Sequence, residues 1–263
     1  MGLDDSGIAR LMRGLAGKTV AIAGGGRGIG AATARRLAAE GAAVVVGDIK
    51  AEWAVETAAA IRANGGKAIG LGVDGTSPES VAAFVAATLA EFGRLDGFHV
   101  NLAGGTVGDI DALNCPLDVF DRGIAINLKS HLICTQAALP VMLERGGGAM
   151  IYTSSGAASG ASAWQVAYPM AKNGIHALVR HVAQRWGKQG IRANGVAPGL
   201  VLTEAVREHM TDEQVSGAEK RIPSTRLGHP DDIAGVVALL ASDDGIWING
   251  QVIHVNGGAQ MRD

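Results

Sequence analysis

Seven short apolar runs punctuate the chain, at residues 18–23, 42–47, 67–73, 96–101, 149–153, 191–196 and 251–255. They are nearly continuous rather than alternating, the pattern of parallel strands covered on both faces. Between them lie longer stretches with apolar positions at helical spacing, over 31–40, 51–64, 77–92, 117–144, 163–187 and 230–241. Gly41 and the pair Gly65-Gly66 close the first two helices, Ser77-Pro78 opens the third, and Pro140 is expected to interrupt the fourth. Strand and helix in strict alternation predict an α/β chain, a doubly wound seven-stranded parallel sheet with helices on both faces.

Two stretches stand outside this rhythm. Residues 1–17 read as an amphipathic arm, with Ile8, Leu11, Met12 and Leu15 at helical spacing. Residues 200–225 mix polar and apolar positions, with weak helical signals at 203–210 and 212–221, and read as a mobile substrate lid. At 263 residues the remainder, 18–263, fits one large domain. A net charge of -2 gives no footprint for nucleic acid or an anionic membrane. No apolar run reaches the length of a membrane span, and the first residues lack the layout of a signal peptide, so the expected location is cytoplasmic. Cys115 and Cys134 have no metal or redox spacing and are expected to be reduced structural thiols. No metal site is expected.

The first strand runs into Gly-Gly-Gly-Arg-Gly-Ile-Gly, residues 24–30, ahead of an Ala-rich helix. Strand, glycine turn and helix together present backbone N–H groups and a helix N-terminus to a pyrophosphate. The expected domain is therefore Rossmann-like and binds a dinucleotide. The second strand ends in Asp48, where a carboxylate accepts from ribose hydroxyls and repels a 2′-phosphate. Arg27 argues the other way, because a guanidinium in the turn can meet that phosphate. Asp48 is given more weight, and the expected cofactor is NAD rather than NADP. Asp74 closes the third strand, placed either to take the adenine amino group or to cap the next helix.

The remaining chemistry lies between residues 155 and 172. Ser155 precedes Tyr168 by thirteen positions, and Tyr168 precedes Lys172 by four, so the tyrosine and lysine share a helix face. A phenol with pKa about 10 is a poor base at neutrality, and an ammonium beside it is expected to lower that value. Ser155, delivered by a strand end, is placed to hydrogen-bond a carbonyl or alcohol oxygen. Alone, Tyr and Lys at this spacing read as an ordinary exposed helix pair. Asn127, an amide among apolar neighbours within the long helix, needs partners of its own.

Taken in order, these motifs resemble the short-chain dehydrogenase/reductase family from Lys18 to Gly258. Gly24-x3-Gly28-x-Gly30 looks like the family's cofactor turn, with Ala23 where threonine is usual. Ser155, Tyr168 and Lys172 fit its catalytic serine and Tyr-x-x-x-Lys, and Asn127 fits its helix asparagine. Pro198-Gly199 with Thr203 fits its nicotinamide-carboxamide segment. The resemblance implies a cofactor site drawn from Gly24, Arg27, Gly28, Ile29 and Gly30 in the turn and from Asp48, Asp74 and Gly75 beyond the next two strands. It adds Asn101, Ala103 and Gly104 after the fourth strand, Pro198, Gly199, Val201 and Thr203 after the sixth, and Tyr168 and Lys172 themselves. It also implies roles: Tyr168 as general acid/base, Lys172 on the nicotinamide ribose, Ser155 on the substrate oxygen, and Asn127 holding a water that links Lys172 to solvent.

Three positions depart from the family. Leu102 replaces an amide in Asn-Asn-Ala-Gly, His99 replaces an apolar residue and reads as a core histidine, and Asn256 stands for the usual aspartate. The implied activity is interconversion of a secondary alcohol and a ketone with NAD(H) by a homotetramer. Gly105, Thr106, Ala157, Trp164, Leu200, Val206 and Met210 are candidates for an apolar substrate pocket. An NADPH-dependent 3-oxoacyl thioester reductase shares every catalytic residue, but Asp48 opposes it. A dinucleotide-binding regulatory protein without turnover is opposed by the complete set of Asn127, Ser155, Tyr168 and Lys172.

Overall fold

All seven apolar runs are strands in the computed structural model, which describes residues 12–160 and 162–261. They are β1 (Thr19–Ala23), β2 (Ala43–Asp48), β3 (Lys67–Gly72), β4 (Gly97–Val100), β5 (Gly148–Thr153), β6 (Ile191–Pro198) and β7 (Val252–Val255). They form one sheet in the order β3-β2-β1-β4-β5-β6-β7, parallel at every pairing. The winding runs outward from β1 to β3, then returns and runs from β4 to β7 on the other side. Between β1 and β4, where Val20 pairs with Gly97, the adjoining loops part to opposite faces and open a crevice beyond the carboxyl ends.

The helices are α1 (Gly28–Ala39), α2 (Ala51–Ala63), α3 (Pro78–Phe92), α4 (Leu117–Ile124), α5 (Ser130–Glu144), α6 (Ala167–Trp186), α7 (Glu204–His209), α8 (Asp212–Glu219) and α9 (Pro230–Ala241). Their apolar stripes build a core on each face of the sheet. One joins Phe84 of α3, Met142 of α5 and Val179 of α6, and the other joins Leu37 of α1, Ile61 of α2 and Val237 of α9. Each large side chain so buried contributes about 1.5–3 kcal/mol.

The departures from the predicted elements have local causes. Helix α1 begins at Gly28 rather than at residue 31, so the glycine turn itself supplies the first helical residues. Pro140 lies inside α5 without ending it, on the helix's solvent-exposed face. The interruption falls instead at Ala125–Lys129, a π-helical turn centred on Asn127. Most of the expected N-terminal arm, with Ile8 and Leu11, lies outside the described residues. Residues 12–17 are turns rather than helix; Leu15 is fully buried and the Met12 N–H donates to Glu40 at 2.6 Å. The stretch read as a lid folds as α7 and α8, tied back by a bridge between Val201 and Gly228. Thr203 and Thr211 cap these two helices from within the segment. Among the described residues no helix is long and apolar enough to cross a membrane.

Candidate active site

A cleft of about 660 Å³ occupies the crevice. One wall is the glycine turn, with Arg27, Gly28 and Ile29 exposed to the cavity. Two close approaches shape it. A Cβ on Gly24 would stand 2.6 Å from the Asn101 carbonyl, and one on Gly30 would overlap the Gly24 carbonyl. Asn101 donates from Nδ2 to that same Gly24 carbonyl at 2.9 Å, binding the end of β4 to the turn. No side chain caps α1, so its first N–H groups, beside the cavity, are free for an anion. This cradle fits the pyrophosphate of a dinucleotide.

Asp48 ends β2 next to the turn and is mostly buried; its Oδ2 accepts from the Gly26 N–H at 3.0 Å and its Oδ1 from the Lys50 N–H at 3.1 Å. Arg27, on the same wall of the cavity, has partners of its own. Its Nη2 pairs with Glu56 at 2.7 Å, and its guanidinium carbon lies 5.4 Å from the centre of the Trp53 ring. Asp74 accepts from the Thr76 N–H at 2.8 Å and from its hydroxyl at 2.7 Å, which makes a tight turn. It does not cap α3; Ser77 does, accepting from the Ser80 N–H at 3.1 Å. A side chain on Gly75 would overlap Leu102, which packs against the core. The departure at Leu102 thus exchanges an amide for apolar packing.

The opposite wall carries Ser155, Tyr168 and Lys172, all facing the same cavity. The Ser155 hydroxyl lies beside the Tyr168 phenol. Lys172 is fully buried beneath them, its Nζ 5.8 Å from the Tyr168 ring centre, donating to the carbonyls of Leu102 and Thr153 at 3.0 Å each. Burial pushes the Tyr168 phenol up, and the Ser155 hydroxyl pulls it down. Burial pushes Lys172 down, to about 7. The Tyr168 phenol is thus raised rather than lowered as the sequence led us to expect, because burial acts on both groups and disfavours both charges.

Asn127 is fully buried in the π-helical turn. Its Nδ2 donates to Gly104 at 2.7 Å and to Gly123 at 2.9 Å, and its Oδ1 accepts from the Gly104 N–H at 3.3 Å. It thereby fixes the Ala103-Gly104 turn after β4. His99 is a core histidine, with Nε2 bonded to Thr153 Oγ1 at 2.8 Å; burial pushes it down to about 3, so it is neutral. Asn256 closes a local turn, between the Gly258 N–H and the Gln260 carbonyl. Both cysteines are free, and among the described residues no cluster of ligating side chains suits a metal.

Pro198, Gly199, Val201 and Thr203 complete the cleft, together with Asn101 and Ala103. Gly24, Gly30, Asp48, Asp74, Gly75, Gly104 and Asn127 are not among its lining residues. Of the candidate substrate contacts, Leu200 and Val206 line the cavity, whereas Met210 lines a separate depression beside α8 and Trp164 is largely exposed. Two contributors carry no motif. Trp53 lines the cleft between Arg27 and Lys50, whose Nζ is 4.1 Å from its ring centre. Asp109, from the loop after β4, accepts three N–H groups at the start of α6. The signal for Asp109 was indirect: Val166-Ala-Tyr-Pro offers no local capping side chain, so the acceptor had to come from elsewhere.

Comparison with known proteins agrees with this geometry. The family model described as "Enoyl-(Acyl carrier protein) reductase" matches residues 23–260. An uncharacterised oxidoreductase of Mycobacterium tuberculosis is 39% identical over 249 residues, covering 93% of this chain and 98% of that protein. The 7α-hydroxysteroid dehydrogenase of Escherichia coli K12 is 35% identical over 244 residues, covering 93% and 94%, and D-threitol dehydrogenase of Mycolicibacterium smegmatis is 36% identical over 248, covering 94% and 95%. A solved structure of 7α-hydroxysteroid dehydrogenase with NADH and 7-oxo glycochenodeoxycholic acid has a TM-score of 0.87 at 34% identity, covering 93% of this chain and 94% of that one. With the switch-point cleft, the glycine turn and the Ser155, Tyr168 and Lys172 wall, these matches make the chain a member of the short-chain dehydrogenase/reductase family, an NAD(P)-dependent oxidoreductase.

Proposed function

We propose that the protein interconverts a secondary alcohol and a ketone, with NAD(H) as its cofactor and Tyr168 as its general acid/base. The observation that carries this reading is the convergence of Ser155, Tyr168 and buried Lys172 on the cavity that the glycine turn also faces. The relatives named as dehydrogenases of hydroxysteroids and of threitol act on secondary or polyhydric alcohols by their names, and support the reaction class.

When bound, the nicotinamide supplies or takes up the hydride. The chain's residues place the substrate and move its proton. Ser155 hydrogen-bonds the substrate oxygen, and Tyr168 exchanges a proton with it. Lys172 binds the nicotinamide ribose hydroxyls and, half-protonated near neutrality with a pKa of about 7, favours the phenolate when charged. Asn127 has spent its amide donors on Gly104 and Gly123, so only acceptor oxygens remain for the water that links Lys172 to solvent. Pro198, Gly199, Val201 and Thr203 hold the carboxamide side, and residues 200–225 act as the lid.

The choice of NAD is supported by the Asp48 carboxylate beside the glycine turn and by Glu56, which partly neutralises Arg27 through an exposed pair. Asp48 likewise weighs against an NADPH-dependent thioester reductase. A homotetramer in the cytoplasm is the assembly and place we propose, with α5 and α6 pairing across a two-fold; Leu132 and Met170 on these helices are exposed. Sedimentation of a 26.7 kDa monomer alone would remove the tetramer.

A panel of hydroxysteroids, polyols and simple secondary alcohols, run with NAD and with NADP, tests the function. Turnover with NAD exceeding that with NADP is expected. No turnover of any alcohol or matching ketone with either cofactor would sink the reading.

A further inference from the structure

We propose that Asp109 is a positioning residue for Tyr168. It lies in the loop between β4 and α4, is 6% exposed, and reaches across to the start of α6. Its Oδ1 accepts the N–H groups of Val166 and Ala167 at 3.0 Å each, and its Oδ2 accepts that of Tyr168 at 2.9 Å. Burial works against the charged carboxylate, but the three backbone bonds prevail and hold Asp109 below its ordinary range.

These bonds complete the helix start. Val166 supplies no side-chain cap, Pro169 has no N–H to satisfy, and the Met170 N–H turns back to the Val166 carbonyl at 3.4 Å. The donors left over are those that Asp109 takes. The backbone of Tyr168 is thus fixed by a side chain 59 residues away, while its hydroxyl faces the cleft. Gly123 of α4 assists: a Cβ there would stand 3.0 Å from the Ala167 side chain, a contact tight enough to push α6 outward by a few tenths of an ångström.

The loop that carries Asp109 is itself braced. Arg122 of α4 donates to the Val107 carbonyl at 2.9 Å. Asp109 therefore ties the position of this loop to Tyr168, the residue that exchanges the proton with the substrate oxygen. Small displacements matter there, since misplacement by about 1 Å costs on the order of a hundredfold in rate.

Asp109→Asn isolates the link. The amide keeps one acceptor for Val166 and Ala167 but turns its NH₂ toward the Tyr168 N–H, donor against donor. With the alcohol turned over fastest in the panel, and below each variant's melting transition, kcat should fall about 10- to 100-fold. KM for the alcohol and the NAD dissociation constant, read by fluorescence titration, should stay within about twofold. Asp111→Asn, an equal charge change in the same loop without contact to α6, should leave kcat within about twofold. The proposal is overturned if Asp109→Asn keeps its kcat, if KM and NAD binding deteriorate along with kcat, or if Asp111→Asn loses as much. Should Asp109→Asn fail to fold, Asp109→Glu, which keeps both oxygens and moves them by one methylene, must show the same split between kcat and KM. The inference rests on Tyr168 being the acid/base group. Activity surviving in Tyr168→Phe would sink that reading and this one with it, whereas a dead Tyr168→Phe beside an unimpaired Asp109→Asn would sink only the positioning role.

Discussion

The two walls of the cleft are held by different means. The glycine-turn wall is closed mainly by neighbours in the chain: Asp48 to the Gly26 N–H over 22 residues, Arg27 to Glu56 over 29, and Thr57 to the Gly26 carbonyl over 31. The tyrosine wall is held across the chain. Asp109 reaches Tyr168 over 59 residues, and the Leu102 carbonyl meets Lys172 over 70. One wall is a βαβ unit tied to the rest of the site chiefly by Asn101, which reaches the Gly24 carbonyl over 77 residues; the other exists only once β4, the loop after it and α6 have docked. A change in the first should alter cofactor choice and leave chemistry alone. A change in the second should alter chemistry and leave cofactor choice alone.

The largest effect should come from the second wall. Tyr168→Phe removes only the exchangeable proton, and turnover should fall about 10²–10⁴-fold with NAD binding nearly unchanged. Stopped-flow or steady-state rates beside a binding titration check both halves of the statement. More than about a tenth of the activity remaining would assign the proton to another group.

On the first wall, Asp48→Asn keeps the shape and removes the charge. The charged hydrogen bonds it would lose are worth about 1.5–3 kcal/mol, so kcat/KM for NAD should drop roughly ten- to a hundredfold while NADP improves. Adding Ile49→Arg should invert the preference, because a guanidinium there can bond the added phosphate. If Asp48→Asn leaves the NAD/NADP ratio unchanged, Arg27 governs selectivity despite its pairing with Glu56, and the Tyr168 chemistry stands.

Next in size, Gly30→Ala tests the cradle itself. The added methyl meets the Gly24 carbonyl, which is backbone and cannot swing aside. Overpacking of this kind costs about 1–3 kcal/mol, visible as a lowered denaturation midpoint together with weakened NAD binding. A variant as stable as wild type with full affinity would show that the turn opens freely.

This contrast also decides what could be read from the sequence. The strands were legible because buried parallel strands are continuous apolar runs, and the glycine turn because its constraint lies within a few residues. Ser155, Tyr168 and Lys172 were legible as types and spacing. Their environment was not, since burial of Lys172 depends on Leu102 and Thr153, which no local pattern joins to it. The π-helical turn at Asn127 was hidden for the same reason: a helical pattern does not reveal an extra residue accommodated by a bond to Gly104. Asp109 looked like one acidic loop residue among several until α6 was seen to lack a cap of its own.

Lys172 gives the most direct test of how the second wall is built. It is fully buried with only carbonyl partners in its shell, and its pKa is pushed down to about 7 from 10.5. The unfolded chain keeps its lysine protonated up to the ordinary value, so between those two pKa values it holds the extra proton. Stability must therefore rise with pH across that window, with a slope approaching about 1.4 kcal/mol per pH unit from this group. Below the folded pKa both states are protonated, and the full cost of burying the charge is present. Lys172→Met lacks the titration. Chemical denaturation of both proteins at steps from pH 6 to pH 9 should find their stability difference flat near pH 6, then moving in favour of wild type as pH rises. A difference that stays flat to pH 9 would mean that Lys172 keeps its charge in the folded protein, with the carbonyls of Leu102 and Thr153 compensating burial. The phenol of Tyr168 would then sit beside a permanent ammonium, and the sequence-based expectation of a lowered tyrosine would be restored.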